Sequence, residues 1–157
     1  AAGLGTKVHN AIEKYVLNED YEIKGNNHIS IMAKNMLEEM IDKGLTKVDE
    51  LWGVEVGLIA AGLYAGTSDA IGVYEGQDAI IDFKTAKKIK PRKWIEDYFM
   101  QCAMYSYMFW EMTQLHHPTL VVAIAVEEEN QPQVFIEHVN DWIDKAQDRC
   151  RKYHSAK

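Results

Sequence analysis

Asp69, Asp82 and Lys84 lie in the segment AGTSDAIGVYEGQDAIIDFKTAKK, residues 65–88, in which two apolar, β-branched runs flank Glu75-Gly76-Gln77. That pattern predicts two antiparallel strands joined by a tight turn, Tyr64 to Tyr74 and Asp78 to Thr85. With a Glu75-Gly76 loop, Tyr74 faces Gln77, Ile71 faces Ile80 and Asp69 faces Asp82. With a Gly76-Gln77 loop, Asp69 faces Lys84 instead. Strand side chains alternate, so both registers put Asp69, Asp82 and Lys84 on one face. Opposed residues there have Cβ atoms roughly 5 Å apart. Asp82 stands between Ile81 and Phe83 in a run apolar enough to be buried on both faces. Two carboxylates opposed in such a strand repel, and desolvation adds to the cost. A hard divalent cation removes the conflict, because Mg²⁺ binds through one or two carboxylates together with waters and phosphate oxygens. Lys84 could then hold a water or hydroxide and offset charge developing on a phosphate. The same three residues also read as an Asp–Lys ion pair at a sheet edge.

The elements that must position these groups follow from the hydrophobic period. Leu4, Val8, Ile12 and Val16, four apart, form one face of a first helix over 4–17. Gly25-Asn26-Asn27 breaks the chain, and a second helix over 29–43 turns Ile29, Ala33, Met36, Leu37, Met40 and Ile41 inward, with Gly44 as its stop. Leu51, Val54 and Val56 begin a strand ahead of the hairpin. After the hairpin comes a lysine-rich loop or irregular helix interrupted by Pro91, then the longest helix, 94–114. TLVVAIAV (119–126) is a buried strand, paired with 133–139 across a solvated turn at 127–132. A last helix runs from Asn140, as N-cap, to about Tyr153. The order ααβββαββα is that of a mixed sheet with helices packed on it. Met32-36-40 and Met100-104-108-112 are helical ladders, best read as core packing rather than soft-metal ligands. His116 and His117 read as exposed loop histidines.

The 157 residues are enough for one domain with a sizeable core. No apolar run approaches the roughly 20 residues of a membrane span. Two isolated cysteines, Cys102 and Cys150, argue against a disulfide framework and against a cysteine-held cluster. The net charge of −7 argues against wrapping DNA by bulk attraction. Six basic residues are nevertheless concentrated in residues 84–93, with no acid among them. Lys87, Lys88, Lys90, Arg92 and Lys93, straight after the carboxylate strand, suit phosphate contact as well as plain solvation. Trp94 and Tyr98 follow, and either could stack on an unpaired base. Arg149, Arg151 and Lys152 form a weaker basic patch.

Gly66-Thr-Ser-Asp69, twelve residues, then Asp82-Phe-Lys84 resembles the D-x(n)-(D/E)-x-K signature of the PD-(D/E)XK nuclease superfamily. Gly5-x-x-x-His9 resembles the N-terminal histidine motif of its RecB-type exonuclease branch, and Gln101-x-x-x-Tyr105 that branch's Q-x-x-x-Y. Glu55 stands where many members carry a further acid. The compact size and the IDFKTAKK run are most similar to phage exonucleases and the mitochondrial genome maintenance exonuclease. Ser68 replaces the nominal proline, and the second acid is Asp, neither of which removes a ligand.

The resemblance implies a single nuclease domain over 1–157 with a restriction-endonuclease-like fold, an α/β mixed central β-sheet flanked by helices. It implies one or two Mg²⁺ or Mn²⁺ ions held by His9, Asp69, Asp82 and the backbone carbonyl of Phe83, with Glu55 as either a further ligand or a solvated residue. No iron–sulfur cluster is expected. Asp69, Asp82, Lys84, Gln101 and Tyr105 are the implied catalytic residues, with Gln101 and Tyr105 looking out beside the methionine stripe. The implied activity is exonucleolytic hydrolysis of DNA that is single-stranded or has free ends. A structure-specific endonuclease and an inactive fold that only binds DNA or protein are the alternatives. An intracellular protein is expected, cytoplasmic if bacterial or phage-encoded and mitochondrial if eukaryotic, with no membrane partner. Self-association or a replication or recombination partner protein is left open.

Overall fold

The computed structural model describes residues 3–62, 64–128 and 131–156. Two helices come first, α1 (Leu4–Val16) and α2 (His28–Lys43), followed by strands β1 (Val48–Ala60), β2 (Tyr64–Tyr74) and β3 (Gln77–Ala86). Then come α3 (Glu96–Thr113), β4 (Thr119–Val126), β5 (Gln133–His138) and α4 (Ile143–Ser155). The five strands form one sheet in the order β1-β2-β3-β4-β5. Only β3 and β4 are parallel, and α3 makes the crossover a parallel pair requires. The expected mixed sheet with flanking helices is therefore the observed one.

Alternation along β3 and β4 divides the core into two. Ile80, Leu120, Val122 and Ile124 face α3 and α4, meeting Phe99, Met104, Met108 and Trp142. Ala79, Ile81, Phe83, Val121 and Ala123 face α1 and α2, meeting Val8, Ile12, Met36 and Met40. Every residue of β4 is buried, as its unbroken apolar run requires of a strand covered on both sides. Most of both methionine ladders goes to these cores, but Met112 is exposed where α3 outruns the sheet.

Several expectations need correction. Ile29 is exposed, because the α2 face that meets α1 begins one position later, at Ser30. Asn27, whose side chain accepts the Ser30 N–H at 2.8 Å, caps α2. Gly44 ends that helix without entering the left-handed region (φ −127°), and the chain tightens into a 3₁₀ turn over Leu45–Lys47. Asn140 is not the cap of α4. It lies inside a 3₁₀ turn, Val139–Asp141, and donates its N–H to His138 Nδ1 at 3.1 Å, so α4 starts only at Ile143. His116 is exposed, but His117 is wholly buried between Trp52 and Phe109. Among the described residues no helix is long and apolar enough to cross a membrane.

Candidate active site

The hairpin register is Tyr74↔Gln77, Ile71↔Ile80 and Ala70↔Ile81, the Glu75-Gly76 alternative of the two. Past Ala70 the two strands part company. β2 goes on pairing with β1, from Val56↔Ser68 to Ala60↔Tyr64, while β3 goes on pairing with β4, from Asp82↔Val122 to Ala86↔Val126. A notch opens between them, and Asp69 and Asp82 stand at its apex. The Phe83 N–H, left without a strand partner there, donates to Asp69 Oδ2 at 2.8 Å. The carboxylate thus continues the ladder where the backbone stops, which satisfies a group that would be costly to leave unpaired.

Asp82 is 4% exposed. Lys84 Nζ lies 3.1 Å from Asp82 Oδ2, close enough for an ion pair. It is off the direction of a hydrogen bond, so that buried oxygen accepts none. The ammonium also reaches Gln101 Oε1 at 3.5 Å and sits 4.8 Å from the centre of the Tyr98 ring. Gln101 therefore acts from α3 to steer Lys84.

Tyr105, one turn on, does not look outward. It is 5% exposed, with its ring against Gly66 and tilted towards Tyr64 at 6.5 Å. A Cβ on Gly66 would come within 2.8 Å of that ring, which explains the glycine ahead of Asp69: it lets α3 brace the diverging arm of β2.

From the other side of the sheet, α1 crosses the end of β3 closely enough that a Cβ on Gly5 would lie 2.7 Å from Thr85 Oγ1. This approach delivers His9, whose Nε2 is 3.8 Å from Asp69 Oδ1 and whose Nδ1 is 3.6 Å from Glu13 Oε1. Glu13 in turn stands close enough to the Glu55 carboxylate for its pKa to be raised by it. Glu55 is exposed on β1 at the position opposite Asp69, where φ is +51°, a left-handed conformation uncommon for a residue with a side chain. Glu13 shares a helix face with His9 in the sequence but was given no role there. Its i, i+4 spacing from His9 was the available signal.

The electrostatics separate the two aspartates. Burial, then the adjacent Asp69 carboxylate, push Asp82 up to about 7 against the opposing pull of Lys84. Burial also pushes Asp69 upward, but the neighbouring His9 and Asp82 side chains and the hydrogen bond from the Phe83 N–H outweigh it and hold its pKa below the ordinary value. The nearby Asp69 carboxylate raises His9 despite burial. Burial lowers Lys84, and the Asp82 charge more than restores it, leaving a firmly cationic ammonium. Burial and the nearby Glu55 carboxylate raise Glu13 to about 6. Two carboxylates whose environments drive their pKa values apart are an arrangement characteristic of functional sites.

The basic segment is only partly free to meet a phosphate. Lys87, Lys88, Lys93 and Trp94 are exposed, Trp94 at 76%. Lys90 is tied to β5, with Gln133 bonding its N–H at 2.8 Å and its carbonyl at 2.9 Å. Arg92 is ion-paired with Glu137 and lies over the Phe99 and Trp142 rings, while about half of its side chain stays exposed. The turn after β4 docks alongside, Glu127 N–H on Ala86 O and Glu128 N–H on Lys87 O, which sets acids beside the lysines. Arg149, in the weaker patch, pairs with Asp97 at 2.7 Å.

Among the described residues, no three His, Cys, Asp or Glu side chains form a ready-made metal cage. A hard divalent ion does not require one, since two carboxylates and waters suffice. The donor set fits such an ion: an orphaned buried oxygen on Asp82, the adjacent Asp69 carboxylate, and an imidazole held nearby. No family model matches the chain, and no curated protein matches it. Eleven chains of solved structures do. One is a crystal structure from Eubacterium rectale named "Putative exonuclease", with a TM-score of 0.60 and 15% sequence identity over 94% of this chain. The two share a fold. This chain spans 65% of that protein's length.

Proposed function

We propose that this chain is a divalent-metal-dependent deoxyribonuclease of the PD-(D/E)XK type, restriction-endonuclease-like in fold and acting on single-stranded DNA or on DNA ends. The observation that carries the reading is the buried Asp82 oxygen that accepts no hydrogen bond, placed beside Asp69 and Lys84 at the apex of an open notch. A purely structural ion pair buried there would lose stability unless its remaining lone pairs were satisfied. Asp69, Asp82 and the Phe83 carbonyl would hold Mg²⁺ or Mn²⁺, with His9 Nε2 closing in from α1. Bound there, the ion supplies Lewis-acid polarisation of a phosphoryl oxygen and a lowered pKa for a water it carries.

The chain's own residues divide the remaining work. Asp69 orients the apex by holding the Phe83 N–H, and Lys84, steered by Gln101, places a positive charge where a phosphate oxygen gains negative charge. Glu13 fixes the His9 ring through Nδ1 and leaves Nε2 directed at Asp69. Lys87, Lys88 and Lys93 meet the flanking phosphates, and the exposed Trp94 offers a face to an unpaired base. The resemblance of the four ordered motifs supports action from an end, and the fold shared with the Eubacterium rectale protein agrees with a nuclease.

The test uses end-labelled single-stranded DNA, linear duplex with blocked ends, and covalently closed circles, each with Mg²⁺, Mn²⁺ or EDTA. Degradation of open ends that is lost in EDTA and in Asp82→Ala supports the proposal. Cutting of circles replaces the exonuclease with an endonuclease, and binding without cleavage leaves a DNA-binding fold.

A further inference from the structure

A second cavity, of about 270 Å³, lies on the α3 side of Lys84, bounded by β2, α3 and α4. Lys84 lines both this cavity and the notch that holds Asp69 and His9, so one side chain borders both spaces. The cavity differs from the notch in character. Tyr64, Tyr98, Met100 and Met104 make its walls, with Ala146 and Cys150 of α4 behind them. Its polar groups are at the rim: Lys84 and Gln101 on the notch side, and the exposed Arg149–Asp97 pair on the other.

From this arrangement we infer that the cavity is a subsite for one unstacked nucleobase of a DNA strand, with the adjoining phosphate held between Lys84 and the notch. The inference rests on the nuclease reading above and adds to it a ligand and a place.

Three features select this occupant. Tyrosine rings and a thioether favour a flat, polarisable ring over an aliphatic chain. Cations at both ends of an apolar chamber favour a ring that carries phosphate on either side, which describes a nucleotide within or at the end of a strand. The volume lies just below the range of ordinary ligand pockets, about 300–1,000 Å³, and suits a single ring system rather than a stacked base pair. A base in this position has left its duplex, so the cavity confers a preference for single-stranded or frayed ends. Arg149, neutralised by Asp97 in the free protein, exchanges that carboxylate for a DNA phosphate when the strand is seated.

The experiment separates this inference from the catalytic reading. Short single strands carrying 2-aminopurine at successive positions are titrated onto the protein in EDTA, where no cleavage is possible. In parallel, strands with one abasic residue at each position are assayed for cleavage with Mg²⁺ or Mn²⁺. The expected result is fluorescence quenching confined to one position, and cleavage reduced on the order of 10-fold when the base nearest the scissile phosphate is missing. Ala146→Met, which fills the cavity from α4, is expected to abolish the position-specific quenching. Arg149→Ala, on the exposed rim, is expected to raise KM several-fold with kcat little changed. The inference is overturned if quenching is uniform along the strand, or if abasic and intact strands are cleaved alike. Should Ala146→Met fail to fold, as judged by its thermal melt, Arg149→Ala and the abasic series decide. If nothing is cleaved with either metal, the nuclease reading fails, and the titration in EDTA still decides the base site.

Discussion

Asp82 and His117 are both buried polar side chains with atoms that find no hydrogen-bond partner, yet they stand in opposite surroundings. Around Asp82 are a second carboxylate, an ammonium and an open notch, all able to exchange charge with a ligand. Around His117 are aromatic rings. Its imidazole meets Trp52 edge-on at 4.4 Å and Phe109 at 5.1 Å, and only its backbone carbonyl is engaged, accepting from Ser106 Oγ at 2.6 Å. Burial lowers its pKa, opposed by Asp78 and assisted by His116, so it rests as a neutral ring. An orphaned polar atom is therefore not a site by itself. The neighbours decide whether burial stores reactivity or merely tolerates a polar edge.

The contrast is broken most severely at Asp82. Asp82→Asn is expected to lower cleavage by more than about 10³-fold, as when one member of a concerted catalytic group is removed. In metal-free protein the same change is expected to stabilise the fold. Because burial and Asp69 raise the folded-state pKa of Asp82 to about 7, the native state binds the proton more tightly than the unfolded chain. Wild-type stability from this group is therefore present at low pH and lost as pH rises to about 7. The advantage of Asn should be absent near pH 4 and full above pH 7, on the order of 1–3 kcal/mol, as read from denaturant melts. A variant less stable than wild type at pH 8 would contradict the account.

Lys84→Met tests whether the ammonium serves the reaction or only balances Asp82. A loss of about 10²-fold in kcat at saturating metal marks the first role. Unchanged kcat with a lower melting temperature marks the second. Glu13→Gln comes next in size. Loss of its carboxylate beside His9 Nδ1 is expected to raise the Mg²⁺ concentration for half-maximal activity by about 10-fold, while kcat at saturating metal changes little. Equal loss at all metal concentrations would place Glu13 outside that role.

The smallest effect belongs to His117. His117→Leu should leave cleavage unchanged and stabilise the fold by about 1 kcal/mol at pH 7, since it removes polar atoms that have no partner. The lowered pKa of His117 means that the unfolded chain takes up the proton first as pH falls below about 6.5. Its contribution is intact above that value and lost below it, so the melting-temperature gap between variant and wild type should widen towards pH 5. A constant gap would mean that His117 does not titrate in this way.

The sheet was legible because its signals are local. TLVVAIAV is apolar after its first residue and becomes the strand covered on both faces, and either even loop through Gly76 keeps Asp69, Asp82 and Lys84 on one face, while the structure takes the Glu75-Gly76 register. The helix starts were less legible, since Asn140 has the chemistry of a cap but lies in a 3₁₀ turn fixed by His138. Tyr105 followed the helix period correctly, yet its outward face is covered by β2 at Gly66, a long-range contact with no local signature. Arg92 belongs to the same category. Within the sequence it is one of six clustered cations, and the fold assigns it to Glu137.

The order of residues by itself determined which groups could share a face: strand alternation ties Asp82 to Lys84, and the turn ties both to Asp69. It also determined that helices would cover both sides of β4, because an apolar strand cannot remain in water. Only the tertiary structure decided that β2 and β3 separate at Asp69, since that depends on each strand's other neighbour, β1 on one side and β4 on the other. The separation converts an opposed pair of carboxylates into an open notch, brings His9 and Glu13 in from one face and Gln101 from the other, and leaves one Asp82 oxygen without a hydrogen bond.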